Sequence, residues 1–278
     1  MKKLIFLAVL LLIQTTFNNA VIAQENNPVL VPLPSVDDFT ESEDGWALGL
    51  GLGIEYESAY EGSDEFGFEA QPAGAVQWRS GDNIYYFAGE AIGWRGLLSD
   101  NWLVGALIGF EEGREESDSD DGRLDGLGNQ EEGFELVLQA RRSFTPDWRY
   151  WLVSRVVASD EGNLALFGVG RRFGEQTDGT GSEVNLVFVV HDSDYANKGF
   201  GINEMQSLSS GLEETKLSGG LRSFGIDYNY RKNINSDWQI YGEALFEYFS
   251  SEVRDSPIAR SDFEAEVVMG LFISFSKA

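Results

Sequence analysis

The fold is decided by two neighbouring segments near the carboxyl terminus, WQIYGEALFEYF (residues 238–249) and FEAEVVMGLFISF (residues 263–275). In the first segment, every second residue from Trp238 to Tyr248 is apolar, small or aromatic. The second segment repeats this alternation from Phe263 to Phe275. Successive side chains of a β-strand point to opposite faces, so a period of two produces one apolar and one polar face. Two such segments of about a dozen residues predict the closing hairpin of a transmembrane β-barrel.

The amino terminus has the pattern of a secretory signal peptide. Lys2 and Lys3 precede an apolar run from Leu4 to Ile13, and Val21-Ile22-Ala23 supplies the small-residue pattern of a cleavage site. A membrane anchor helix, the alternative, would need a longer apolar run. We expect residues 1–23 to be the signal peptide, residues 24–45 a proline-containing periplasmic leader, and residues 46–278 a single β-barrel domain.

Charge and composition exclude several classes of function. The 278 residues include 20 Lys and Arg against 46 Asp and Glu, a formal net charge of −26, and no Cys. Nucleic acid binding requires a basic footprint, so we expect no nucleic acid partner. Without Cys there is no disulfide framework, thiolate metal site or cysteine nucleophile. An acidic barrel is compatible with an outer membrane, where cations can bridge carboxylates to anionic lipid heads.

The number of strands is predicted from the alternating segments and from parity. Eleven segments from Trp46 onward alternate as strands do, with Ile84–Trp94 treated as one strand and Pro72 marking a bulge or an edge. Bacterial barrels have even strand numbers with both ends in the periplasm, so we predict twelve strands, with ten as the alternative. Counted back from Phe275, segments 112–132, 193–214 and 250–261 lie outside. The short turns 144–147 and 232–236 lie on the periplasmic side.

One register of the strands carries charge and is expected to line the lumen, because charge in hydrocarbon costs a few kcal/mol per residue. Gly49, Gly51 and Gly53 share this register and should make room for a loop, the leader or a bulky partner. The predicted fold is therefore all-β: an antiparallel up-and-down transmembrane β-barrel. Trp and Tyr at strand ends favour it over a soluble sandwich or lipocalin-like barrel. The polar lumen residues are Glu135, Gln139, Arg141, Arg149, Arg155, Glu243, Glu247, Glu264 and Glu266.

Two groups of side chains are candidate sites. His191, the single histidine, and Ser193 lie two residues apart at the end of a predicted strand. On one strand they would share a face, and the histidine could activate the serine as in a lipid hydrolase; the alternative is a rim histidine. The acidic segment 111–132 could gather Ca²⁺ or Mg²⁺, but it lacks the ligand order of an EF-hand and is also typical of a solvated loop. We assign no catalytic, cofactor-binding or metal residue and expect no cofactor.

Short motifs follow one another in a fixed order from about Trp46 to the carboxyl terminus. They are Gly49–Gly53, Tyr60–Asp64, Arg114 with Leu124–Gly128, Asp194-Tyr195 with Gly199–Ile202, Ser209–Leu212, Gly219–Ser223 and Asp255–Ile258. Together they resemble the MltA-interacting protein (MipA/OmpV) family of outer-membrane proteins. The chain departs from the family at Lys198–Gly201, where Tyr-Phe-Gly is usual, and in the tail Ser276–Ala278, which follows the terminal aromatic residue.

The resemblance implies a barrel without enzymatic activity in the outer membrane of a Gram-negative bacterium, in contact with lipid and lipopolysaccharide. It further implies a scaffold that links a murein transglycosylase to a penicillin-binding protein. The alternative function is a narrow porin-like channel for small solutes, because ten to twelve strands enclose a narrow lumen.

Overall fold

Twelve antiparallel strands form a closed barrel, which confirms the predicted fold class and strand number. The computed structural model describes residues 44–89, 91–111, 113–174, 181–235 and 237–277. The expected signal peptide and most of the leader lie outside these residues. The strands are β1 (Gly45–Ser58), β2 (Phe66–Ser80), β3 (Asn83–Ala88), β4 (Ala91–Ser99), β5 (Trp102–Glu111), β6 (Gly133–Ser143), β7 (Tyr150–Ser159), β8 (Gly162–Phe173), β9 (Gly181–His191), β10 (Gly220–Asn233), β11 (Trp238–Phe249) and β12 (Phe263–Lys277).

The alternation seen in the sequence separates a lipid-facing surface from the lumen. In β1, Leu52 is 63% exposed on the outside, whereas Gly53 and Glu55 beside it are buried inside. Aromatic side chains ring the barrel near both ends, as at a membrane–water interface. At the end that holds the strand termini, Trp78 stacks on Trp46 and Tyr85 with ring centroids 6.1 and 5.5 Å apart. Rings at the opposite end also contact one another, in tilted pairs: Tyr56 with Phe68, and Phe110 with Phe134.

The barrel closes through the two segments that decide the fold. β11 and β12 pair from Trp238↔Ile273 to Tyr248↔Phe263, and β12 then pairs with β1 from Trp46↔Lys277 to Tyr56↔Val267. The carboxyl-terminal strand therefore joins the first and last hairpins. Within the described residues, no helix has the length and apolar character needed to cross a bilayer.

The prediction that Ile84–Trp94 is one strand is wrong, and this accounts for the odd count. The segment turns back at Gly89, whose φ of +55° lies in the left-handed region that suits a tight turn, and forms β3 and β4. Pro72 introduces no bulge, because its pairing with Leu52 is in register. It lies beyond the last β2–β3 pair, Ala75↔Ala88, so the edge alternative is correct.

The loops divide between the two ends as predicted. Short turns follow β2, β4, β6 and β10 at the end that holds the first and last described residues, and long segments follow β1, β5, β9 and β11 at the other end. By the rule for bacterial barrels, the first end is periplasmic and the second is outside. The described residues of the outer segments carry three short α-helices, α1 (Ser193–Phe200), α2 (Glu204–Ser210) and α3 (Ser251–Arg254), and a 3₁₀ helix at Glu116–Asp118.

Candidate functional site

The outer loops pack into a lid over the barrel mouth. Its core is a cluster of five buried side chains that come from four different loops. The phenol of Tyr60 donates a hydrogen bond to the carbonyl of Ile258 at 3.4 Å, and burial raises the pKa of Tyr60 above its usual value. A stable apolar core of this kind makes the lid a folded layer. The cluster consists of Tyr60, Leu124, Leu127, Ile202 and Ile258.

Polar contacts fasten the loop after β5 to helix α1. The guanidinium of Arg114 is buried, which lowers its pKa, and it donates to the carbonyl of Gly199 at 2.7 Å. Gln130 donates to the carbonyl of Lys198 at 2.6 Å, and the ammonium of Lys198 pairs with Glu161. The side chain of Lys198 therefore joins the lid to the β7–β8 turn.

Side-chain caps hold the lid helices in place. Asp192 accepts from the Tyr195 amide at 2.9 Å at the start of α1, and Asn203 forms a capping box with Gln206 in α2. Ser250 caps α3. Burial alone would raise the pKa of Asp192, but the hydrogen bonds that Asp192 accepts from Tyr195 and Asn163 lower the pKa by more than burial raises it. The pKa is therefore below its usual value and the carboxyl stays ionised.

Arg222 connects the lid to the barrel wall. It lies at a break in the register between β9 and β10 and is only 1% exposed. Its guanidinium forms ion pairs with Glu61 of the lid, Glu247 of β11 and, at 3.4 Å, Glu264 of β12. Ser223 also donates to Glu247, at 2.6 Å. One cation therefore holds three carboxylates from three elements.

A second polar network lies inside the lumen, toward the periplasmic ends of β6 to β9. Glu183 of β9 accepts from Arg141 at 2.7 Å and from Arg172 at 2.8 Å. Asn185 accepts from the indole of Trp151 at 2.9 Å and donates to Asp227 at 2.8 Å. These side chains are all buried, as is Arg155 of the same lumen register, which is 0% exposed. Glu and Arg side chains of the lumen register thus form ion pairs inside the barrel.

The remaining predicted lumen residues follow the register, with one exception. Gln139, Glu247, Glu264 and Glu266 are buried in the lumen. Arg149 is in the β6–β7 turn, with its side chain 61% exposed and its Nε atom 3.3 Å from Asp147. The prediction that it lines the lumen is wrong because Trp148 adopts a φ of +51°, so strand alternation begins only at Tyr150.

The inward position of the glycine stripe is confirmed, and aromatic rings occupy the space beside it. A Cβ atom on Gly49 would collide with the ring of Phe272, and one on Gly53 would lie 2.8 Å from the hydroxyl oxygen of Tyr241. Both rings come from the closing hairpin. The glycines therefore allow bulky side chains of β11 and β12 to lie flat across the lumen wall.

Three buried carboxylates could hold a divalent cation. One ligand oxygen from each of Glu55, Glu57 and Glu266 lies within 4.8 Å of the others, and Gln71 donates to Glu55. Oxygen ligands suit Ca²⁺ or Mg²⁺. The sequence conceals this group because β1 and β12 are at opposite ends of the chain and are brought together only by barrel closure.

The acidic segment 111–132 uses its carboxylates for local structure. Glu116 accepts from the amides of Gly126 and Gly128 at 2.9 and 2.7 Å, and Asp118 accepts from Glu115 at 2.6 Å. The hydroxyl of Ser119 donates to Asp121 and lowers its pKa. In the part of the chain that the structure describes, this segment contributes no group with metal-ligand spacing.

The predicted placement of His191 and Ser193 on one strand is wrong. β9 ends at His191, whose ring is buried, and Ser193 is an exposed residue in the first turn of α1. The intervening Asp192 is the helix cap, so the backbone leaves the strand between them. The two side chains do not form the shared face that a serine hydrolase on this strand would need.

The chain is similar to a known protein family and to solved outer-membrane structures. The model of the family described as MltA-interacting protein MipA matches residues 50–275. No curated protein matches the chain. An outer membrane channel from Pseudomonas putida F1 is similar at a TM-score of 0.47, with 12% identity over 86% of this chain and 98% of that one. The Pseudomonas putida toluene transporter TodX has a TM-score of 0.39, with 10% identity over 91% and 93%.

Proposed function

Because the chain belongs to the MltA-interacting protein (MipA) family, we propose that it is a non-enzymatic outer-membrane scaffold for cell-wall enzymes. The partners in this proposal are MltA, the murein transglycosylase in the family's name, and a murein-synthesising penicillin-binding protein. Residues 1–23 direct export and are removed. The leader, residues 24–45, and the periplasmic turns provide the contacts. Lipid and lipopolysaccharide surround the barrel.

The buried ion pairs inside the lumen are the observation that carries this proposal. Ion pairs such as Arg141–Glu183 and the fully buried Arg155 occupy the interior, and the lid covers the outer mouth. Opening a path would leave buried charges without partners, which costs about 3–5 kcal/mol for each broken pair. A barrel that is costly to open is suited to anchoring partners at the membrane.

Affinity capture from a detergent extract tests the scaffold role. The intact chain should retain a murein transglycosylase and a penicillin-binding protein from the same envelope. A variant that lacks residues 24–43 should lose them while its barrel remains folded, as shown by heat-modifiable electrophoretic mobility. Absence of both enzymes from a capture with the intact, folded barrel would contradict the proposal. If the intact chain and the shortened variant retained the two enzymes equally, the contacts would be assigned to the periplasmic turns and not to the leader.

A narrow channel is the second candidate, and the polar lining of the periplasmic half favours it. Gln77, Arg231, Gln239 and Tyr241 are only half-buried and face the lumen, so solutes can enter from below. Planar-bilayer conductance separates the two functions. The scaffold predicts a silent bilayer, whereas steady unit conductance that increases on replacement of Arg155 would establish a channel.

A further inference from the structure

The barrel wall has a gap beside β2. This strand has fifteen residues, but the neighbouring β3 has only six, which pair with its periplasmic part. Nine residues, Phe66–Gly74, extend beyond the last pair, Ala75↔Ala88. Among the described residues, no strand pairs with them on the β3 side. The short β3–β4 hairpin thus leaves the outer half of the wall incomplete between β2 and β5.

Backbone groups of β2 line one side of the gap. The amide of Gly89 donates to the carbonyl of Gly74 at 3.1 Å, so the peptide groups of Gly74 face the hairpin. Alternate residues of an antiparallel strand present their peptide groups to the same side, which places those of Pro72, Ala70 and Phe68 along the gap. Proline has no amide to leave unpaired, which suits an edge.

The gap is framed on all sides, and we call it the wall window. Its floor is the hairpin tip at Ala88 and Gly89, and its far side is the end of β5 at Phe110, beyond the last β4–β5 pair, Ile92↔Ile108. The loop after β5 closes the top, where the Asp120 amide donates to Glu65 at 3.0 Å. Three interstrand spacings separate β2 from β5 across the β3–β4 hairpin, so the axes of the two strands lie about 14 Å apart at the floor of the wall window.

Side chains of both registers of β2 are exposed at the wall window. Phe68 is 76% exposed on the outside. Glu69 is paired with Glu55 across β1 and shares its inward register, yet it is also exposed. A lumen-facing residue in a closed wall would be covered as Glu55 is. The wall window therefore joins the lumen to the membrane.

The two rims of the wall window differ in chemistry. The outer rim, with Phe68, Phe87 and Phe110, is apolar and continuous with the lipid-facing surface. The inner rim has the peptide groups of β2, Gln71 and the carboxylate of Glu69. We propose that the wall window binds a single-chain amphiphile that enters from the outer leaflet, with its apolar tail in the membrane and a cationic head toward the lumen. Continuity with the lipid surface selects the tail, and the carboxylates select the charge of the head.

Cysteine labelling in lipid vesicles tests this site, and the absence of native Cys makes each substitution unique. Gln71→Cys and Ala73→Cys place thiols in the lumen register beside the wall window. Val268→Cys is a matched control, half-buried in the lumen register of β12. A dodecyl maleimide confined to the bilayer should label positions 71 and 73 about tenfold faster than position 268. Dodecyltrimethylammonium should slow that labelling by about tenfold, while dodecanoate should leave it unchanged, a selectivity of about 1.4 kcal/mol.

Each other outcome overturns part of the proposal. Equal labelling at position 268 would show that the reagent reaches the lumen by a route other than the wall window, and no labelling at positions 71 and 73 would show that the wall is closed. Equal slowing by both amphiphiles would remove the preference for a cationic head. The two window variants differ in their contacts, because Gln71 donates to Glu55 and Ala73 packs near Gly51. Ala73→Cys therefore keeps the test valid if Gln71→Cys does not fold.

Discussion

Replacing Arg222 by Met should loosen the lid more than any other single change in the outer lumen. The guanidinium is 1% exposed and holds Glu61, Glu247 and Glu264. Met preserves most of the volume and the apolar packing on Phe249 while removing the charge. Three carboxylates then share a buried site without their common partner. We expect the lid loops to separate from the barrel wall before the strands unfold.

The magnitude follows from the cost of leaving buried charge unpaired. Removing one partner of a buried ion pair destabilises a protein by about 3–5 kcal/mol. Glu247 is fully buried and depends on Arg222 and Ser223, so it should incur this cost in full. Glu61 lies at the lid and can move into water. We therefore expect a loss of about 3–5 kcal/mol and not a multiple of it.

Urea unfolding of the refolded barrel in detergent, followed by tryptophan fluorescence, measures the loss. Arg222→Lys is the conservative control: it retains the charge but loses the planar fork, so its effect should be smaller. The double variant Arg222→Met with Glu247→Gln should recover part of the stability, because the most deeply buried unpaired carboxylate, that of Glu247, is replaced by a neutral amide. A single variant within about 0.5 kcal/mol of the native protein, the usual range for surface changes, would refute the assigned role.

Three further predictions concern packing and pH. Gly170→Val forces a side chain into the ring of Trp151, so urea unfolding should show that the free energy of unfolding falls by about 1–3 kcal/mol. Gly242→Ala is the control and should leave the free energy of unfolding unchanged, because the nearest atom to its new Cβ is 3.6 Å away. Tyr60→Ala should cost the lid about 3–5 kcal/mol and Tyr60→Phe about 1 kcal/mol, measured through an environment-sensitive dye on Leu208→Cys. The pKa values of Asp192 and Glu252 are lower in the folded lid than in the unfolded chain. Their ionised carboxylates therefore stabilise the lid above the ordinary pKa near 4, and this stabilisation is lost as the pH falls through the folded pKa values. The same dye should report lid opening in acid.

Most of the fold is predictable because a period of two survives wherever one face meets lipid and the other meets water. This is why β11 and β12 could be assigned residue by residue from the sequence. The exception is the β3–β4 hairpin, where Ile84–Trp94 is long enough to pass as one strand. Its tip contains a single glycine, Gly89, and none of the paired turn residues that mark most hairpins. Only strand parity indicated that a turn had been missed.

The candidate site was less predictable than the fold because loops have no periodicity. The motifs around Tyr60, Leu124 and Ile258 could be noticed one by one, but nothing in their spacing says that they share one apolar cluster. The Arg114–Gly199 contact spans 85 positions for the same reason. The lumen register was predictable, but which carboxylate meets which arginine depends on side chains that cross from one wall to another, as Arg141 does to reach Glu183.

The position of Arg222 links the lid to the choice between anchor and channel. Its carboxylate partners belong to a loop and to two strands, so the lid cannot lift without separating charges inside the wall. A solute path through the outer mouth would have to break this junction and then the Arg141–Glu183–Arg172 network below it. The wall window bypasses the lid, because it opens sideways beneath the loop held at Glu65. Access to the lumen from the membrane is therefore compatible with an outer mouth that stays shut, and a scaffold that never conducts along its axis can still bind a lipid-like ligand through its side.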